Sequence, residues 1–333
     1  MKKAEYIFIV GSSRSGTTML GRILNQHQDI KTIKELHFFG MMYDGQKKTV
    51  SSKEELILLL ARLLLVEKNG IFTNEDKLKF RPLALEILSN RNSSCQADIF
   101  KEFLKHIKLK NNVKFVCEQT PRNVFYLKEI FKTFPNSVVI NMVRDPRDVM
   151  LSQKHKWKRR YLGAKKIPLS ESVRAYINYN PFLIARFWKS SLKHAQNYKG
   201  DIFTVQFENL LKKPKEVVNK LCSIIGVKYN ENMLYIPNKG SSNNVDFENN
   251  NGIDDTKIGK WQKGGLNSSE IFICQLICGK EMKDFNYSNK KFSFPPLFFI
   301  IYFIFLPIQL ILILVFNLHR MKNLFRIIRK RLA

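Results

Sequence analysis

Acidic residues are in short supply: 28 Asp and Glu stand against 56 Lys and Arg over 333 residues, a formal net charge of +28. That imbalance attracts polyanions, anionic lipid surfaces and phosphorylated nucleotides, although a lysine-rich surface and a basic tail account for part of it. Cysteine is sparse too. The five (Cys95, Cys117, Cys222, Cys274 and Cys278) are scattered. Cys274 and Cys278 could share a helix face, but no second pair and no nearby His completes a metal set. No metal is therefore expected, and the thiols read as free core residues of a reduced compartment. A secretory leader is not expected either, because an apolar run and a glycine loop follow residues 1–5 almost at once. Internal repeats are missing.

Apolar residues at 44% and charged residues at 25% suffice for one large globular domain, with or without an appendage. Residues 6–10 (YIFIV) form a short apolar run ending at Gly11, the pattern of a buried parallel strand, and 17–26 then show helical periodicity. Further strands are expected at 30–33, 113–117, 137–143 and 201–206, with helices between them. Thr120-Pro121 and Asp145-Pro146 each place a cap residue before a proline at the first helical position. Residues 214–225 read as a helix ending at Gly226. The alternation predicts an α/β fold over 1–290: a P-loop-like, doubly wound parallel sheet flanked by helices. Within it, 51–110 read as a helical insertion that caps the site or shapes the substrate, and 238–255 as a long polar loop.

Between the first strand and helix lies Gly11-Ser12-Ser13-Arg14-Ser15-Gly16-Thr17-Thr18. Glycines there let the backbone turn tightly against a phosphate, and the first amides of the helix point at the anion. Hydroxyls of Ser15, Thr17 and Thr18 can donate further hydrogen bonds. The Walker pattern G-x-x-x-x-G-K-[ST] is nearly met, but Thr17 holds the lysine position and the positive charge moves to Arg14. A nucleoside triphosphate enzyme would lose its β/γ-phosphate lysine by that change. Later, Arg144 ends a strand and Ser152 lies about two turns into the next helix. Arg144 thus emerges where open α/β sheets bind ligands, and its planar guanidinium suits a phosphate. Arg147 and Asp148 read as an Arg–Asp surface pair on a capped helix.

Arg14–Thr18 taken with Arg144 and Ser152 resembles the PAPS-dependent sulfotransferase superfamily, closest to the branch of tyrosylprotein and bacterial glycan or small-molecule sulfotransferases. PAPS is 3′-phosphoadenosine 5′-phosphosulfate. The likeness runs from about Tyr6 to Trp261 and includes Thr120-Pro121, Pro135-Asn136-Ser137 and Glu208-Asn209-Leu210-Leu211. The resemblance implies that Ser12, Ser13, Arg14, Ser15, Gly16, Thr17 and Thr18 hold the 5′-phosphosulfate, and Arg144 and Ser152 the 3′-phosphate. It also implies that Glu35, at the spacing of the tyrosylprotein enzymes' glutamate, is the base, with Arg14 sharing the catalysis and His37 in reserve. Two positions depart from the pattern: Gln119 stands where many relatives carry a lysine for the departing oxygen, and Phe207 where they often carry tyrosine. Lys257 and Lys260, beside Trp261, loosely resemble a late segment that closes over the nucleotide.

The run Lys154-His-Lys-Trp-Lys-Arg-Arg160 reads first as a solvated helix end, its place beside the 3′-phosphate helix also suggesting attraction of the nucleotide or of an acidic acceptor, and no nucleic acid is expected as partner. Residues 297–316 are apolar except for Tyr302, Pro307 and Gln309, and a basic tail through Arg331 follows. That length can cross a bilayer, while the basic flank and Pro307 also allow a re-entrant segment with both ends cytosolic. Residues 291–333 are therefore expected to attach the protein to a membrane, with the catalytic domain cytoplasmic and a hydroxyl of a glycan, glycolipid or other membrane-proximal molecule as acceptor. The alternatives are a P-loop phosphotransferase, which Thr17 opposes, and a noncatalytic nucleotide-binding membrane homologue, which Gln119 and Phe207 motivate.

Overall fold

A computed structural model describes residues 5–45, 52–89, 94–162, 167–237 and 252–317. The expected loop at 238–255 and the basic tail beyond 317 lie almost wholly outside these residues.

The chain enters through β1 (Tyr6–Gly11), α1 (Thr17–Asn25) and β2 (Ile30–Thr32). Helices α2 (Lys53–Asn69), α3 (Arg81–Leu88) and α4 (Gln96–Lys110) follow. The middle of the chain gives β3 (Phe115–Glu118), α5 (Leu127–Thr133), β4 (Val138–Val143) and α6 (Pro146–Lys154). Next come α7 (Leu169–Ile177), α8 (Pro181–Gln196), β5 (Ile202–Gln206), α9 (Phe207–Lys212) and α10 (Pro214–Ile225). The last elements are α11 (Ser268–Asp284), α12 (Phe299–Ile304) and α13 (Leu306–Asn317).

The strands form one parallel sheet in the order β2-β3-β1-β4-β5. Successive side chains of a strand leave opposite faces, and both faces are covered here. Phe8 and Val10 of β1 join Leu60, Phe100 and Ile130 on one side. Ile7 and Ile9 join Leu20, Leu210 and Leu221 on the other. Unbroken apolar runs are what such double burial requires. The segment expected as an insertion at 51–110 supplies α2 to α4, whose apolar side chains share a core with β1. From β1 the chain crosses to the edge strand β2, returns to β3 beside β1, and then builds β4 and β5 on the other side. The carboxyl ends of β1 and β4 therefore flank the switch point where doubly wound sheets open a crevice.

Two local expectations fail. Thr120-Pro121 opens a 3-10 turn, Pro121–Tyr126, and α5 starts only at Leu127. The Thr120 hydroxyl is spent on Glu118 and caps no amide.

The twenty-residue apolar stretch at 297–316 is not a single helix. It splits into α12, of six residues, and α13, of twelve, with Pro307 in the first turn of the second, where its missing N–H costs nothing. At ~1.5 Å per residue each falls short of the ~30 Å hydrocarbon core. Among the described residues no helix is long and apolar enough to cross a membrane. One side of α13 is pinned to the domain through polar groups. Asn180 donates to Gln309 Oε1 at 2.7 Å, and Gln309 donates to the carbonyls of Ile177 and Tyr179 at 3.1 and 2.6 Å. Asn317 accepts from Arg174 at 2.9 Å and donates to Asn178 at 2.8 Å. The opposite side leaves Leu297, Ile304 and Ile311 exposed at 83%, 64% and 62%, a degree of apolar exposure that scattered surface residues do not reach together.

Candidate active site

The loop after β1 carries the strain that its glycines predict. Gly11 has φ +139°, and a Cβ there would lie 2.3 Å from the Met142 carbonyl oxygen of β4. Gly16 has φ +93°, and a Cβ would meet the Phe207 ring at 2.3 Å. Only glycine fits both the backbone and the space. The phenyl ring that stands where tyrosine was expected thus packs against the loop. Arg14 also has positive φ, at 76°, which costs a non-glycine residue and is common where a side chain is being aimed.

The loop, the end of β4 and the start of α6 close around a cleft of about 400 Å³. Ser13, Arg14, Gly16, Thr17 and Thr18 line it, together with Glu35, Arg144 and Ser152. Of the expected residues, Ser12 and Ser15 do not. Ser15 is fully buried beneath the loop, its amide bonded to the Ser12 carbonyl at 3.2 Å and its hydroxyl without a partner.

The two sequence motifs meet directly. Arg14 Nε donates to Ser152 Oγ at 2.9 Å, and Arg144 Nη1 reaches the Arg14 carbonyl at 3.4 Å. Arg144 Nη2 donates to the Lys257 carbonyl at 2.8 Å, its guanidinium lies 4.5 Å from the Phe207 ring centre, and its buried Nε has no hydrogen-bond partner among the described residues. Burial, with the charges of Arg159 and Arg144, lowers the Arg14 pKa to about 10; it stays cationic at neutral pH.

Glu35 sits opposite, 3.4 Å from His37 Nε2. Burial raises its pKa, but the His37 hydrogen bond and the charges of His37, Lys156 and Arg14 outweigh burial and hold it below the ordinary value. It is a carboxylate open to the cleft through part of its surface.

Arg147 and Asp148, expected on the surface, are buried. Arg147 pairs with Asp145 at 2.7 Å and lies 3.9 Å from the Trp261 ring centre. Asp148 accepts from the amides of Gly259 and Trp261 at 2.9 and 3.0 Å. These bonds hold the late segment against α6 and bring Lys257 and Lys260 to the cleft. Their chemistry is that of a strap, which two charged residues four places or fewer from Arg144 do not reveal in sequence.

Three residues of the site were not singled out from sequence. Lys156 and Arg159, in the 3-10 turn Lys156–Arg160, line the cleft and are not a solvated helix end. Their signal was nearness in sequence: Lys156 follows Ser152 by four, in the turn just past the end of α6. The third, Glu118, ends β3 beside the segment that carries Glu35. Its carboxylate accepts from the Thr120 hydroxyl, from the Thr120 amide at 3.1 Å and from Asn123 at 2.7 Å. The Thr120 oxygen in turn accepts from the His37 amide at 3.4 Å, so Glu118 braces the segment that carries Glu35.

Burial raises Glu118 from 4.5 to about 7. Between those values the folded protein keeps a proton that the unfolded chain releases, so this group's contribution to stability falls as pH rises from 4.5 to about 7. Glu118→Gln is expected to remove on the order of 1–3 kcal/mol of that pH dependence. Urea denaturation of both proteins at pH 5 and 7.5 measures it, and equal pH dependence would refute the assignment.

Comparison with known proteins places this geometry. The model of the Sulfotransferase family matches residues 6–231. A putative protein-tyrosine sulfotransferase of Caenorhabditis briggsae is 23% identical over 236 residues, 69% of either chain. Its counterpart in Caenorhabditis elegans is 23% identical over 124 residues, 36% of this chain and 42% of that one. Among solved structures, the sulfotransferase domain from the curacin biosynthetic pathway superposes with a TM-score of 0.54 at 20% identity, over 87% of this chain and all of that domain. The sulfotransferase domain of the Synechococcus PCC 7002 olefin synthase gives 0.53 at 18% identity, over 87% and 98%. At such identities these two structures establish the shared fold.

Proposed function

The chain belongs to the sulfotransferase family and is an enzyme of that class, and on that premise we propose that it moves the sulfuryl group of PAPS onto a hydroxyl of a membrane-proximal glycan or glycolipid. The observation that carries the donor assignment is the 2.9 Å hydrogen bond from Arg14 to Ser152, which joins the phosphosulfate loop to the second anion motif at the switch point. The cleft fits a nucleotide with several negative charges. Arg14, Arg144, Lys156, Arg159 and Lys257 line it against Glu35 and Asp148, and Arg144 Nε is a buried donor with no hydrogen-bond partner among the described residues.

PAPS, when bound, supplies a sulfuryl group activated by its link to phosphate. The loop amides and hydroxyls and the N-terminus of α1 take the 5′ end, and Arg144 and Ser152 the 3′-phosphate. Glu35 accepts the proton of the acceptor hydroxyl as that oxygen attacks sulfur. The sulfur–oxygen bond to the nucleotide breaks, its electron pair goes to the phosphate oxygen, and Arg14 meets the charge that gathers there.

The apolar face of α12 and α13 supports the membrane part. Two short helices lying in the interface, anchored on their polar side, are the form of a monotopic attachment. Lys290, Lys291 and the sequence beyond Arg320 supply basic groups for an anionic surface. The catalytic domain then works on the cytoplasmic face.

Transfer of labelled sulfate from PAPS tests the acceptor. Anionic vesicles carrying a glycolipid, a soluble glycan and a tyrosine peptide serve as acceptors. Labelled glycolipid or glycan is expected; a label confined to the tyrosine peptide would overturn the acceptor class. In flotation the protein should rise with the vesicles, and protein left at the bottom would remove the membrane attachment.

A further inference from the structure

Position 119 cannot serve the departing oxygen. The Gln119 carboxamide is turned under α1: a Cβ on Gly21 would lie 3.2 Å from its Oε1. That oxygen is buried and has no hydrogen-bond partner among the described residues. Gln119 does not line the cleft, whereas Lys156 does. Lys156 lies four residues after Ser152, the residue hydrogen-bonded to Arg14, in the 3-10 turn that follows α6. Its charge acts on Glu35, and the charge of Arg14 acts on it. In the cleft it therefore stands within electrostatic reach of both the proton acceptor and the anion loop.

We propose that Lys156 is a catalytic residue, the cation that joins Arg14 in meeting the charge developing on the bridging oxygen as the nucleotide leaves. The inference rests on the sulfotransferase reading. In the step it serves, the acceptor oxygen bonds to sulfur, the bond from sulfur to the bridging oxygen breaks, and the electron pair stays with the nucleotide phosphate. The acceptor proton goes to Glu35. The Lys156 ammonium donates a hydrogen bond to the bridging oxygen and keeps its proton.

The surroundings make this charge conditional. Arg122 from the 3-10 turn after β3, Arg14 from the loop, Arg174 from α7 and Arg159 from its own turn all act on Lys156, with Glu35 the opposing carboxylate. Arg174 is itself paired with Glu171 at 2.6 Å. Although part of Lys156 is exposed to the cleft, protein encloses the rest. Burial, and then those four guanidinium groups, lower it to about 7. A neutral amine cannot stabilise an anion, so the free enzyme is competent below about pH 7 and loses competence above it. A bound anion restores the charge by pulling a proton onto the amine.

Calorimetric titration with 3′,5′-ADP at pH 7.5, in two buffers of different ionisation enthalpy, reads that proton without turnover. The wild type is expected to take up roughly half a proton or more beyond the uptake of Lys156→Arg, whose guanidinium is already charged. Sulfate transfer by the same pair gives a second readout. The alkaline fall of kcat/KM above pH 7 should vanish in Lys156→Arg, while Lys156→Met should lose at least tenfold in kcat across the range. Equal proton uptake by wild type and Lys156→Arg, or an unchanged kcat in Lys156→Met, overturns the proposal. Failure of the wild type to bind 3′,5′-ADP overturns the nucleotide reading, and the role of Lys156 with it.

Discussion

Glu35→Gln is expected to lower kcat by roughly 10²–10⁴-fold, the range for losing a positioned general base. Glutamine keeps the shape and can still face His37 at the observed 3.4 Å, but it cannot take the proton of the acceptor hydroxyl. Nucleotide affinity should hold or improve, because a carboxylate leaves a basic cleft; kcat and KM then part company, as they do when a group acts only in the transition state. In the wild type the pKa of Glu35 lies below its usual 4.5, since the His37 hydrogen bond and the charges of His37, Lys156 and Arg14 outweigh its burial. The acid limb of the rate profile should accordingly fall below pH 4.5. Single-turnover sulfate transfer decides the matter: a loss of less than about tenfold would return the role of base to another group.

Arg144→Ala is expected to weaken 3′,5′-ADP binding by roughly 30-fold or more, the penalty for deleting one member of a desolvated charge interaction. The side chain does three things at once. Its Nη2 holds the Lys257 carbonyl at 2.8 Å, its face covers Phe207, and it stands 3.6 Å from buried Asp148. Removing it also leaves Asp148, whose pKa burial already raises against the pull of Arg144, less well compensated. A lower melting temperature should therefore accompany the lost affinity. Arg144→Lys separates the two effects, because an ammonium restores charge near Asp148 without the planar fork. Calorimetry on both variants measures this, and affinity within threefold of the wild type in Arg144→Ala would remove Arg144 from the nucleotide site.

Much of the architecture was legible because doubly buried strands leave a plain signature. The runs at 6–10 and 137–143 became β1 and β4 within a residue or two, and Pro214 and Gly226 bracketed α10 as their backbone preferences require. Arg14, Arg144, Ser152 and Glu35 were singled out through the family resemblance, and the fold brings all four to one cleft. What escaped depended on contacts distant in sequence. Asp148 looked like half of a surface pair because its partners, the amides of Gly259 and Trp261, lie more than a hundred residues away. Lys156 looked like one lysine in a solvated run until the fold set it beside Glu35. Thr120 kept its capping reputation because Glu118, which claims its hydroxyl, competes two residues upstream. The apolar count at 297–316 was right in content, but Pro307 and the pins at Gln309 and Asn317 decide its shape.

The ties that gather the cleft run largely to main-chain atoms. Arg144 grips the carbonyls of residues 14 and 257, and Asp148 the amides of 259 and 261. A grip on backbone is indifferent to the side chain at the gripped position. Over generations residue 257 can drift in identity while the strap stays fastened, provided the two gripping residues on α6 and β4's end persist. Homologues should therefore preserve the path of this segment far better than its letters.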